Sequence, residues 1–231
     1  MSEKNQNRIN NSNTNGFNTS VLRKALDSLG NIFAINVLFI VTSIPVFTIG
    51  ASLTAAYSMS MRLQEDREET VFMGYLTEFR KNFKQATLSF IILLIASSIM
   101  MAEYLMIQIL DKDLLITKIY IVLLVAEILV MAFVFPFLFP LIAAYENSLR
   151  LTFKNSIYMS VGYTWSAVKI LLSWIAPIAI CVFYPMIFYN FWYLWLLIIF
   201  GAIIWGTSYT VRKVFRINNK AYEERLKQEK K

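Results

Sequence analysis

NIFAINVLFIVTSIPVFTIGASLTAAYSMSM, residues 31–61, is the stretch on which the fold turns. It carries no charge and a single proline, Pro45, which removes a backbone donor, clashes with the preceding turn and biases Ile44 away from helical dihedrals. Read without the break, the stretch is one long span. Broken at Pro45, it is a helical hairpin whose second limb, Val46 to Met61, is short and rich in small residues. Whether that limb crosses a membrane sets the parity of every later crossing.

A membrane is required by the rest of the chain. Of 231 residues, 57% are hydrophobic and 16% charged, against roughly 45–50% and about 25% in soluble domains. Between Lys118 and Val211 there are six charges, Lys118, Glu127, Glu146, Arg150, Lys154 and Lys169. Apolar runs at 31–44, 46–61, 86–110, 114–141, 165–189 and 191–211 follow one another with short polar connections. Lys and Arg number four before residue 31, five in 62–85, two in 111–118, three in 145–169, none near 190 and eight from Arg212 onward. Five crossings place 16 of them inside and 6 outside, whereas a hairpin over 31–61 places 20 inside and 2 outside. Because this bias sets orientation, the prediction is an all-α bundle of six transmembrane helices, the first two a Pro-broken hairpin, with both termini cytoplasmic. A re-entrant hairpin has the same parity and stays open.

Three regions result. Residues 1–19 hold seven asparagines and three apolar residues, a composition expected to stay a disordered cytoplasmic tail. It lacks the basic-then-apolar start of a signal peptide, so no cleavage is expected. Residues 20–211 form the transmembrane domain, and 212–231 a basic cytoplasmic segment suited to an anionic leaflet. Two cytoplasmic stretches have helical apolar stripes and are predicted to lie in the membrane plane. In 72–86 the stripe is Phe72, Tyr75, Leu76, Phe79 and Phe83, with Glu78, Arg80, Lys81 and Lys84 opposite; in 149–161 it is Leu149, Phe153, Ile157 and Val161 beside Arg150 and Lys154. Phe79, Arg80, Lys84, Leu149, Phe153 and Lys154 are the candidate docking residues for a partner.

The run from Asn36 to Tyr57, NVLFIVTSIPVFTIGASLTAAY, resembles the opening of the YesL-like family of bacterial integral membrane proteins of unknown function. FRKNFKQAT at 79–87, FPLIAAY at 139–145 and LTFKN at 151–155 agree with it in order and spacing, so the resemblance covers about residues 25–170. It implies a small multispan protein of the bacterial plasma membrane whose genes often lie beside those for ATP-driven carbohydrate uptake. It carries over no catalytic residue.

Several chemistries are excluded directly. There is no histidine, and the one cysteine, Cys181, lies in an apolar run, so imidazole catalysis, disulfides within the chain and Cys/His metal sites are out. No phosphate-binding, dinucleotide-binding, zinc-protease or nucleophile-elbow motif occurs. No enzyme activity and no cofactor are expected. The net charge of +7 sits in the predicted cytoplasmic loops, so it indicates membrane lipids as partners and no nucleic acid.

Within the apolar runs, Asn36, Glu103, Lys118 and Glu127 are the candidate intramembrane polar residues, since a charge at bilayer depth is costly and usually paired or functional. Folding 86–110 back on 114–141 brings Lys118 near Glu103, and Glu127 near Ser97 and Ser98. Pro45, Gly50, Ser52, Ala56 and Ser60 mark either a small-residue packing seam or a helix start able to hold an anion. Phe183 to Trp195, with eight aromatics in thirteen residues, is expected to be an interfacial belt about a turn at Asn190. The leading expectation is a non-enzymatic accessory protein of carbohydrate import, with a sugar-transporter permease or its ATPase as partner. The alternative is a small secondary transporter or channel whose path passes Asn36 and Glu127.

Overall fold

The break at Pro45 is present in the computed structural model, which describes residues 3–65, 70–111 and 114–229. α1 (Glu3–Ser43) ends two residues before the proline, which is extended at φ −74° and ψ 108°. A 3-10 turn (Val46–Thr48) then leads into α2 (Ile49–Leu63). The Thr48 hydroxyl lies 2.5 Å from the Thr42 carbonyl and 2.6 Å from that of Pro45, tying the two limbs at their hinge. At about 1.5 Å per residue α2 is about 22 Å long, short of a hydrocarbon core of about 30 Å. Every residue from Gly50 to Met61 is buried. The short limb is the centre of the bundle, packed on α1 and on three later helices.

Those later elements are α3 (Val71–Ile109), α4 (Leu115–Ala144), α5 (Leu149–Gly162), α6 (Thr164–Phe183), α7 (Pro185–Leu194), a π turn (Trp195–Ile199) and α8 (Phe200–Glu229). No strand occurs among the described residues. Four segments are long and apolar enough to cross a membrane: Leu22–Ser43, α3, α4 and α6. α7 together with α8 as far as Ala221 makes a fifth if the pair, bent by 66°, counts as one span. The architecture is therefore an all-α bundle with four or five candidate spans around α2.

Two boundaries differ from expectation. Residues 72–86 are not a separate in-plane helix but the first part of the 39-residue α3, because no proline interrupts the chain between Val71 and Ile109. The turn expected at Asn190 is present beside it, at Phe191 with φ −123° and ψ 19°, and a further break falls at Tyr184, with φ −129° and ψ 69°, because Pro185 pushes the residue before it out of the helical region. The 149–161 stretch does form its own helix, α5, and it packs through Thr152, Ser156, Met159 and Ser160. Its apolar residues Ile157, Tyr158 and Val161 point outward, as a helix facing lipid requires. α7 buries none of its residues, so the aromatic segment also faces outward.

Two glycines allow the closest approaches. A Cβ on Gly50 would collide with the Ala86 carbonyl oxygen and fall 2.7 Å from the Phe90 Cβ; one on Gly201 would collide with the Ile32 carbonyl oxygen and fall 2.9 Å from the Asn36 Cβ. Gly50→Val should therefore lower the melting midpoint in detergent through overpacking of about 1–3 kcal/mol. Gly206→Ala, where an added methyl meets nothing within 4 Å, should leave it unchanged or raise it. Equal behaviour of the two variants would refute the close α2–α3 crossing.

Candidate functional site: a polar cavity at one end of the bundle

The end of α2 meets the start of α3, the end of α4 and the middle of α8 around a cavity of about 400 Å3. The chain reverses between α2 and α3, so Arg62, in the last turn of α2, faces Glu78, in the second turn of α3. Their side chains join at 2.5 Å. Glu78 is 3% exposed and accepts a second bond, from the Asn82 amide at 3.2 Å. A carboxylate this deeply buried is stable only when paired and hydrogen-bonded, and both conditions are met. Across the rim Lys81 reaches Glu146 at 2.8 Å, and the ammonium holds the Glu146 carboxyl below the usual carboxylate range. Tyr145 donates to the Asn219 side-chain oxygen at 3.1 Å and stacks edge-on against Phe215. Burial pushes the Tyr145 phenol up. Arg212 and Arg216 also line the cavity, with Glu65.

None of these groups was singled out as a site by the sequence. The apolar stripe of 72–86 places Glu78 on the opposite, polar face, yet Tyr75, Glu78, Asn82, Ala86, Ser89 and Leu93 recur at spacings of three and four. All of them are buried except the half-buried Asn82. That stripe was the available signal. Arg212, the first residue of the basic run in the sequence, lies between the buried Val211 and Val214 in an α8 that runs through it.

The other candidates fall in three places. Asn36 is fully buried at the α1–α8 crossing, where its side-chain oxygen accepts the Gly201 N–H at 2.7 Å. Gly201 follows the π turn, whose altered register frees a backbone donor, and Asn36 supplies the acceptor. Glu103, Lys118 and Glu127 sit on the hairpin of α3 and α4, far along α3 from the cavity. Glu103 and Glu127 are within electrostatic reach of each other, and each has one carboxylate oxygen buried without a hydrogen-bond partner. The expected Glu103–Lys118 ion pair is absent among the described residues; Lys118 is exposed while the Glu103 oxygen turns into the helix seam.

Gly50, Ser52, Ala56 and Ser60 are all buried. The space that Gly50 opens is filled by the α3 backbone at Ala86, and the Thr48 hydroxyl turns back to Thr42 and Pro45. Phe79 and Phe83 are half-buried against the core, stacked edge-on at 5.5 Å, and Phe153 is likewise half-buried. Leu149 is half-buried too, while Arg80, Lys84 and Lys154 are exposed, with Lys154 over the Tyr158 ring at 5.6 Å. The docking candidates are thus divided between a structural face and a free one.

These helices and their outward apolar surfaces define a polytopic α-helical membrane protein. Over residues 32–104 the chain is similar to a family described as "Protein of unknown function, DUF624", a match that runs from mid-α1 to near the end of α3 and includes Pro45, Gly50, Arg62 and Glu78. No curated protein and no solved structure matches the chain.

The Arg62–Glu78 pair yields a direct test. Arg62→Leu leaves a buried carboxylate without its cation, a change that costs about 3–5 kcal/mol in a fully buried pair and less here, where the Arg62 side chain is 30% exposed. The melting midpoint should drop. Arg62→Leu combined with Glu78→Leu should recover most of the loss, and an additive double variant would contradict the pairing.

Proposed function

We propose that the chain is a non-enzymatic accessory protein of the bacterial plasma membrane that assembles side by side with another integral protein. The supporting observation is the α3–α4 hairpin. Beyond Leu94 on α3 and before Val130 on α4 most outward residues are apolar and exposed, Ile95, Ile99, Leu105, Val122 and Leu129 among them, with Ser97, Ser98, Gln108 and Lys118 the exposed polar ones. In their midst Glu103 and Glu127 each keep a carboxylate oxygen without a donor. A carboxyl at bilayer depth calls for a partner, and in lipid interhelical hydrogen bonds are among the forces that join helices. A neighbouring membrane helix carrying donors satisfies both groups. The YesL-like resemblance, carried by the Ile44-Pro45 and Thr48-Ile-Gly-Ala-Ser52 element, supplies the partner class: the permease of an ATP-driven carbohydrate importer, with its ATPase.

In this reading the hairpin at Pro45 returns the chain to the side from which it came, whether α2 completes one of six crossings or re-enters. Both termini are then cytoplasmic, in keeping with the 20-to-2 division of Lys and Arg. The outward face of α5 lies along the same leaflet.

Affinity purification from native membranes in mild detergent, with co-purifying proteins quantified, tests the assembly. A permease or ATPase should be recovered in stoichiometric amount. Glu103→Gln with Glu127→Gln should cut that recovery by about tenfold, as expected for two interhelical hydrogen bonds, with the protein's membrane level unchanged. Recovery without a partner, together with loss of solute flux in Glu127→Gln vesicles, would instead favour the transporter. For the topology, a cysteine at Asn15 in a Cys181→Ser background should react with an impermeant reagent only from the cytoplasmic side; labelling from outside would overturn the even number of crossings.

A further inference from the structure

We infer that the cavity between α2, α3, α4 and α8 is a binding site for a phosphate group. It lies at the opposite end of α3 from the hairpin glutamates and does not depend on the assembly proposed above. Four cations line it, Arg62, Lys81, Arg212 and Arg216, against two carboxylates, Glu65 and Glu78. Glu78 is committed to Arg62 and Glu146 to Lys81, so neither of these carboxylates neutralises the two arginines of α8. The decisive atom is Arg212 Nη1, which is buried and has no hydrogen-bond partner. A buried guanidinium nitrogen without an acceptor is costly, and α8 holds it there between Val211 and Val214, both in the core.

The chemistry of the lining selects the ligand. Arg212 and Arg216 stand one helical turn apart on α8, the spacing at which two side chains share a face. Two guanidinium forks so placed suit a tetrahedral oxyanion, which accepts several N–H bonds at once. The excess of positive charge rejects cations. At about 400 Å3 the cavity far exceeds the roughly 30 Å3 of a water molecule, and it accommodates a phosphate with the polar part of the molecule bearing it. On the wall, Asn219, whose side-chain oxygen accepts from Tyr145, has its amide N–H groups left to offer to that part. The phosphate can belong to the headgroup of an anionic phospholipid or to a phosphorylated solute, and the same site chemistry serves both.

The test uses the full chain, purified in neutral detergent and stripped of lipid. Inorganic phosphate is titrated against chloride at matched ionic strength while the melting midpoint is followed. In parallel, the protein is placed in nanodiscs of phosphatidylglycerol or phosphatidylcholine, extracted, and its retained lipid counted by native mass spectrometry. A saturable phosphate effect identifies a solute site; retention of phosphatidylglycerol with no effect of free phosphate identifies a headgroup site. Either supports the inference when Arg212→Gln weakens binding by about tenfold or more and Lys213→Gln, the same charge change one residue away and outside the cavity, does not. If Arg212→Gln fails to fold, Arg212→Lys and Arg216→Gln take its place. The lysine keeps the charge but loses the fork, and should also weaken binding. No saturable binding of either probe to the unmodified protein would overturn the inference, and so would equal losses in the 212 and 213 variants.

Discussion

The rest of the bundle depends on the burial of α2. In lipid there is no hydrophobic gain in bringing one apolar helix to another, so helices that pack in a membrane need small residues for close approach and polar ties for specificity. α2 provides both. Its glycine, alanines and serines admit the α3 backbone at Gly50, and most of its neighbours tie to it by at least one polar contact. Tyr75 of α3 donates to the Ser52 carbonyl at 3.0 Å and meets Thr42 of α1 at 2.8 Å. Tyr57 bonds Thr207 of α8 at 3.0 Å and lies 3.4 Å from the indole N–H of Trp174 on α6. Just beyond α2, Gln64 donates to the Trp205 carbonyl at 2.8 Å. Several buried hydroxyls in the same seams, including Thr54, Ser60, Ser89 and Ser208, have no partner. There small size is the property in use, rather than hydrogen bonding.

This arrangement separates the two ends of the bundle. Where α2 ends, charges converge, with Arg62 paired to Glu78 and Lys81 to Glu146, and the polar groups build a cavity. Where α2 is absent, α3 and α4 continue as a two-helix hairpin with few neighbours, and their glutamates lack donors. The short central helix is therefore what makes the molecule asymmetric along its axis.

The sequence revealed the break, the helical class and the membrane environment, and it misread the packing faces. Pro45 and Pro185 interrupt the chain, yet Pro136, Pro140 and Pro177 lie inside helices. A proline in a membrane helix is tolerated where neighbouring helices and local adjustment satisfy the freed carbonyl, and Pro136 and Pro140 are both buried. That compensation is tertiary and cannot be seen from the chain alone. The faces failed for a simpler reason. Apolar periodicity identifies the core side when the solvent is water; when it is lipid the apolar side faces out. On α5 Thr152, Ser156 and Ser160 lie inward and Ile157 and Val161 outward. On α3 the inward stripe runs through Glu78, Ala86 and Ser89, beside the aromatic one, while Arg62 and Arg212 escape a reading by periodicity because one stands at the start of a charged loop and the other at the start of a basic run.

The register of α2 against α3 is set twice over, and this couples packing to electrostatics. Gly50 and Arg62 are twelve residues apart, about 18 Å along the helix. One contacts Ala86 and the other Glu78, at positions displaced in the opposite sense along α3. Sliding α2 by one turn, about 5.4 Å, removes both contacts together: a side chain larger than glycine meets the Ala86 carbonyl, and Glu78 is left buried without its cation. Either alone is a serious cost, so no intermediate register offers a way down. The cation at the end of α2 also opposes the partial negative charge of the helix terminus, which favours Arg62 in its place before Glu78 is counted. A helix of about 22 Å is thereby held at one depth, and the walls of the cavity at its end are held with it.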